Sequence, residues 1–387
     1  MINYIVVGQD RPVTLAVLQA VRSFTDAGCM VIGTQGNRGL RWSSLCEQQA
    51  TIRFDGADDE VFVDLVNDLT RFTRHLVLIP ADCHAIRMVN RVAGRLSVAI
   101  SPIPDTPTMT MLDDRWRFQR LCRQHGLPVP ASRLIGGESE PDFPALASEL
   151  GLPFMVKPIS HEPQLESVMI SSRRDLWRLP ARGLLVAQAI TPGVDASISL
   201  IADRGQLCAF VIAGLDQDNA GQFHPGLERI AARLCEVSAF NGAMHLGARI
   251  DTATGNLTLM DCVPHFWPDL TSTILAGLNL VAECVHPSPR HARLQVVTQV
   301  GAALGHPLAP ARWHRLRAPD EGGRLLRAMS FDLYSLSMST GGVLLDAWRN
   351  MTQRPVASLP QVGPKIGPRP GPQMGPGSGQ RRDAAAQ

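Results

Sequence analysis

Over the first hundred positions, short β-rich apolar runs alternate with stretches in which apolar residues recur at helical spacing. INYIVVG at 2–8 is a strand-length run closed by glycine. Residues 11–28, RPVTLAVLQAVRSFTDAG, carry an amphipathic helical pattern and end on a glycine suited to a C-cap. CMVIGT at 29–34 reads as a second strand, 58–73 as a second helix, and HLVLIPA at 75–81 as a buried third strand. Strand, helix, strand, helix, strand predicts parallel pairing with right-handed crossovers over about residues 1–105.

The pattern changes after SPIPDTPTMT (101–110), whose three prolines read as a boundary. A helix is predicted over 111–126, then strands at 153–158 (PFMVKP), 168–172 and 184–190 (LLVAQAI), with a helix opening at RRDLW between the last two. ASISLIAD and QLCAFVIAG read as an antiparallel pair, GLERIAARLCEVSAF (226–240) as a helix, and 247–261 as a hairpin-like unit. TSTILAGLNLVAECV (271–285) is predicted helical, as are segments within 286–352. From Gln353 onward Pro and Gly dominate, which predicts a disordered, basic tail.

Composition narrows the function classes. At 387 residues the chain accommodates two or three packed units. No apolar run approaches the ~20 residues that span a bilayer, and the N-terminus reads as a strand instead of a secretion signal, so a cytoplasmic setting is expected. The formal net charge is only +2, and the tail holds five of the basic residues, so the body is near neutral. A nucleic-acid surface, which needs clustered basic charge, is not expected. The GxGxxG loop of dinucleotide folds is missing. The eight cysteines form no CxxC pair, and the histidines show no zinc-finger spacing, so reduced thiols and no dedicated transition-metal site are expected. Among 37 basic residues only Lys157 and Lys365 are lysines. Lys157 is therefore singled out, because a compact ammonium and a planar guanidinium are not interchangeable.

Four segments together resemble the ATP-grasp superfamily, in which two α+β lobes follow an α/β domain and clamp ATP. They are DDRW followed by GLPVP, GLPFMVKP, LLVAQAITPGVDASIS, and LMDCVPHFWPDL with AGLN. The implied fold class is α/β and α+β: an N-terminal parallel α/β domain (1–108), then a two-lobed ATP-grasp domain (109–300). Its small lobe covers about 109–185 and its large lobe about 186–300, with a helical extension at 301–352 and the tail at 353–387.

The resemblance implies that Arg115 and Lys157 hold ATP phosphates, and that Val186, Gln188, Ala189 and Ile190 form the adenine-reading hinge strand, with Asp195 just beyond the turn. Asp261 and Asp251 become Mg²⁺ ligands, and His265 contacts substrate. The chain departs from the family in three places. Val263, with no side-chain oxygen, stands where the family has a metal-binding Asn. His265 stands where it has an Arg. ISHEPQLES holds no glycine where a Gly-rich flap is common. Two readings follow. One is an ATP-dependent carboxylate–amine or carboxylate–thiol ligase acting on small molecules through an acyl phosphate. The other is a nucleotide- or ligand-binding relative that has lost ligation. Asp251 also reads as a turn former, and assembly into a homodimer is left open.

Overall fold

The computed structural model describes residues 2–287 apart from 74, 137–140, 161–166, 181–182 and 215–224, together with 316, 318–332, 334, 335 and 337. The first sheet contains β1 (Ile2–Gly8), β2 (Gly28–Gly33), β3 (Gln48–Thr51), β4 (Val77–Pro80) and β5 (Ala99–Ile100). All its pairings are parallel, in the order β3-β2-β1-β4-β5. This order reverses direction between β1 and β4, which opens a crevice at the carboxyl ends of those two strands. Helix α1 (Arg11–Phe24) starts beside it: the Asp10 side chain caps Val13 N, and Pro12 occupies the first turn, where no N–H is needed. Helices α2 (Asp59–Thr70) and α3 (Cys83–Val92) complete the crossovers.

The predicted helix over 111–126 is two helices, and the first starts inside the expected linker. Asp105 caps α4 (Thr106–Asp113), and Asp114 caps α5 (Arg115–Gln124) by accepting from Trp116 N and Arg117 N. That side-chain acceptor pulls Asp114 into extended backbone and breaks the run. A second sheet follows, ordered β6-β9-β7-β8, from β6 (Ser132–Gly136), β7 (Phe154–Pro158), β8 (Val168–Ile170) and β9 (Leu184–Ala189). Helix α6 (Phe143–Leu150) covers one of its faces, and RRDLW lies in a 3₁₀ segment instead of an α-helix. The third sheet is antiparallel, β11-β10-β12-β13, built from β10 (Val194–Asp203), β11 (Gln206–Ala213), β12 (Gly242–Ile250) and β13 (Leu257–Val263). Helix α7 (Pro225–Ser238) packs on it.

Residues 271–285 also divide, into α8 (Leu270–Leu275) and α9 (Leu280–Val285). Gly277 between them has φ +104°, and Asn279 caps α9 while its amide donates to Ala20 O and Ser23 Oγ of α1. Helix α10 (Glu321–Phe331) lies within the expected extension, whereas 292–305 and the tail fall outside the described residues.

The cores show which parts pack together. A single cluster joins Leu18 and Val21 of α1, Ile201 and Val211 of the third sheet, Leu270, Val281, and Leu325 of α10. Burying each such side chain stabilises by about 1.5–3 kcal/mol. The second sheet has its own core, centred on Phe154, Val156, Leu146 and Ile170. The first and third sheets thus share packing, while the second forms a lobe of its own. No helix among the described residues is long and apolar enough to cross a membrane.

Candidate active site

The face of the second sheet opposite its core carries Lys157. Side chains alternate across a strand, and directly paired residues point the same way. Phe154, Val156, Leu185 and Ala187 fill the lobe core. The alternate set therefore contains Lys157 paired with Val186, and Met155 paired with Gln188. Pro158 closes β7, so Lys157 is held on a rigid strand end with its side chain only 14% exposed.

Lys157 and Arg115 converge on one carboxylate. Lys157 Nζ donates to Asp261 Oδ2 at 3.1 Å, and Arg115 Nε donates to Asp261 Oδ1 at 3.0 Å. Arg115 also donates through Nη1 to the Pro158 and Ser160 carbonyls at 2.8 and 2.9 Å. It thereby fixes the start of α5 to the exit of β7. Its side chain is 15% exposed, and that of Asp261 is 33% exposed. Two mostly buried cations around a partly open carboxylate form a site prepared for anions, because desolvated charges interact more strongly than surface ones.

Beside this cluster lies a cavity of about 460 Å³, within the range of ligand pockets. One wall is the crevice of the first sheet, with Gln9, Asp82, Cys83 and His84. The opposite wall is the exit of β13, with Val263, His265 and Trp267, and Asp113 and Ser160 adjoin. Asp82 Oδ2 accepts from Gln9 N and Asp10 N at 2.6 and 2.7 Å, and its Oδ1 caps α3, so one carboxylate fixes both crevice loops. Arg87 Nη2 donates to Asp113 Oδ2 at 2.5 Å and ties α3 to α4.

The His265 ring donates through Nδ1 to the Phe266 carbonyl. Cys83 opens α3, and burial, with the charges of Asp113 and Asp82 adding, pushes its thiol up to about 12. Behind the wall, His245 bonds Ser199 Oγ at 2.9 Å and stacks on Trp267 at 4.8 Å between ring centroids. Burial lowers its pKa to about 4, so it is a neutral structural group at physiological pH. All eight cysteines are free thiols.

The expected site residues thus divide. Arg115, Lys157 and Asp261 meet, and His265 lines the neighbouring cavity. Val186 and Gln188 lie on the Lys157 face, and both are buried, 1% and 2% exposed. Ala189 donates its N–H to Ala131 O at 2.9 Å, so that amide is already committed, and Ile190 follows, half exposed. Asp195 is not brought to the cluster: it is 83% exposed and accepts from Arg249 Nε at 2.8 Å. Gly193 before it has φ +120°, and a Cβ there would meet Ile250 O at 2.1 Å, so the turn into β10 requires glycine.

Asp251 is likewise outside the cluster. Its carboxylate accepts from Ala253 N and Thr254 N in the β12–β13 turn, and those bonds hold it below the usual carboxylate range. Asp261 instead pairs with Gly247, four residues before Asp251 and about 13 Å along the strand. In this structure Asp251 holds the β12–β13 turn and lies apart from Asp261. Cys83, Asp113 and Arg87 were missed in the sequence. The available signal was PADCHAIR, an acid-capped helix start directly after a buried strand.

No protein-family model matches the chain. D-alanine–D-alanine ligase of Chromohalobacter salexigens is 35% identical over 97 residues, covering 24% of this chain and 30% of that protein. The same enzyme of Azoarcus is 29% identical over 105 residues, covering 26% and 34%. The chain therefore matches about a third of the length of these relatives. Among solved structures, carboxyaminoimidazole ribonucleotide synthase of Aspergillus clavatus, complexed with ATP, superposes with a TM-score of 0.58. It shares 13% identity, over 76% of this chain and 80% of that one. L-amino acid ligase of Bacillus licheniformis gives 0.53 at 13% identity, over 74% and 75%.

Proposed function

Since the chain belongs by its fold to the ATP-grasp superfamily, we propose that it is an ATP-dependent carboxylate–amine or carboxylate–thiol ligase. The observation that carries this reading is the convergence of Lys157 and Arg115 on Asp261, beside a ligand-sized cavity.

Lys157 and Arg115 exchange Asp261 for the phosphate oxygens of ATP, offering a point charge and a planar donor respectively. Residues 186–189 of β9 back the adenine, and Ile190, just past the strand end, supplies backbone beside its edge. A carboxylate substrate occupies the cavity, whose β13 wall carries His265. Its oxygen attacks the γ-phosphorus, ADP leaves, and an acyl phosphate forms. An amine or thiol then attacks the acyl carbon, and inorganic phosphate departs with the bonding pair. Charge offset and a fixed geometry are what such a transfer needs from the protein.

The donors for Mg²⁺ fit at the lower limit. The ion commonly takes one or two carboxylates and completes its octahedron with phosphates and waters. Asp261 supplies one carboxylate, and Val263 supplies none. Bound there, Mg²⁺ would neutralise charge on the phosphate oxygens. The proposed setting is the cytoplasm, with small-molecule substrates.

One observation favours the second reading, a nucleotide-binding relative without ligation: Val263 lines the cavity where the resemblance sets a ligand. Incubation with Mg-ATP and an amino-acid mixture separates the two. ADP release that Lys157→Ala abolishes supports the ligase, and ATP binding without turnover supports the binder.

A further inference from the structure

The geometry points to a transition-metal site at the cavity wall, formed by Cys83, Asp113 and His265 and suited to Zn²⁺. One ligand atom from each residue lies within 4.8 Å of the other two, although the three are far apart in the chain. A tetrahedral zinc, with bonds of about 2.0–2.3 Å, sets its ligand atoms roughly 3.3–3.7 Å apart. The three side chains line one cavity, so metal binding draws their ligand atoms together by about 1 Å or more.

The surroundings orient the ligands as metal sites require. His265 donates Nδ1–H to the Phe266 carbonyl, so in the neutral ring the lone pair belongs to Nε2. Such a backbone acceptor behind an imidazole is the usual outer support of a metal-binding histidine. Arg87 grips one oxygen of Asp113 and fixes the carboxylate plane, and the ion pair survives if the metal binds through the other oxygen. Cys83 begins α3 directly after Asp82, whose carboxylate fixes the crevice loops, so the thiol is carried on a rigid element.

The donor set decides the metal. Thiolate, imidazole and carboxylate together suit a borderline ion such as Zn²⁺, whereas Mg²⁺ takes oxygen ligands. On binding, the Sγ–metal bond forms as the thiol proton leaves to solvent, with no change of oxidation state. Three protein ligands leave a fourth position open, as in zinc sites that take water or a substrate oxygen, and here it faces the cavity. The site shares the cavity and His265 with the ligase reading, but metal binding is measured without ATP or substrate, so the two fail separately.

The test uses the full chain purified without a metal-chelating tag or column, stripped with chelator and dialysed against ZnCl₂ or CoCl₂. One Zn²⁺ per chain is expected, not displaced by a hundredfold excess of Mg²⁺. The cobalt form should show a thiolate-to-cobalt charge-transfer band. Cys83→Ser, nearly isosteric, should abolish that band. His265→Ala should weaken Zn²⁺ binding at least tenfold, with thermal unfolding of each variant establishing that it folds. Sub-stoichiometric zinc, a band that persists in Cys83→Ser, or zinc bound by His265→Ala as tightly as by the natural chain would overturn the site.

Discussion

Asp261→Asn isolates the role of the carboxylate between the two cations. In the nucleotide-free protein, Asp261 competes with phosphate for Lys157 and Arg115, which it bonds at 3.1 and 3.0 Å. The cations are largely buried and the carboxylate is one-third exposed. Each pair therefore lies between the about 0–1 kcal/mol of a surface bridge and the larger cost of breaking a buried one. Taking about 1 kcal/mol for each, the substitution releases about 2 kcal/mol of competition, or roughly a 30-fold gain in affinity for Mg²⁺-free ATP. The same change leaves two buried cations without that countercharge, so the unfolding midpoint should fall by about 4 °C. Mg²⁺ should strengthen ATP binding to the natural protein and leave the variant unaffected. Isothermal titration with ATP, with Mg²⁺ and with chelator, reads both effects. Unchanged or weaker Mg²⁺-free binding in Asp261→Asn would refute the reasoning.

Three further outcomes follow from neighbouring residues. His245 is neutral when buried, with its pKa lowered to about 4. Between pH 6.5 and 4 the unfolded chain takes up a proton that the folded chain refuses, so stability present above pH 6.5 falls by about 3 kcal/mol and then levels off. Urea unfolding across that window should show this loss, and His245→Gln should flatten it. Gly193→Ala should destabilise by more than about 2 kcal/mol, since φ +120° and the 2.1 Å approach to Ile250 O both oppose a Cβ; urea midpoints measure it. Asp251→Asn should lower the urea midpoint only slightly and leave the Mg²⁺ dependence of ATP binding unchanged, as befits a turn residue.

Lys157 was legible because an arginine-rich chain keeps one lysine outside its tail, and keeps it at the end of an apolar strand that proline closes. The inner strands β1, β2 and β4 of the first sheet were legible for a similar reason, being apolar runs that a parallel sheet between helices buries. The edge strands β3 (QQAT) and β5 are short and partly exposed and were not read. The helix breaks at Asp114 and Gly277 were harder to read. Each depends on a local competition, a side-chain acceptor or a positive φ, inside a run whose apolar period continues.

Asp195 and Asp251 illustrate a different limit. Written as letters they are carboxylates near a motif, like Asp261. Their environments decide otherwise, through a cross-strand arginine in one case and two turn amides in the other. Cys83, Asp113 and His265 had no readable spacing at all. The crevice between β1 and β4 and the exit of β13 bring them together, and that proximity belongs to topology.

The most direct measurement of the central claim is ADP release from Mg-ATP with an amino-acid mixture, comparing the natural chain with Lys157→Ala. The account expects substrate-dependent ADP and inorganic phosphate in equal amounts from the natural chain and at least a hundredfold less from the variant. ATP binding without substrate-dependent ADP release, or release that persists in Lys157→Ala, would contradict it.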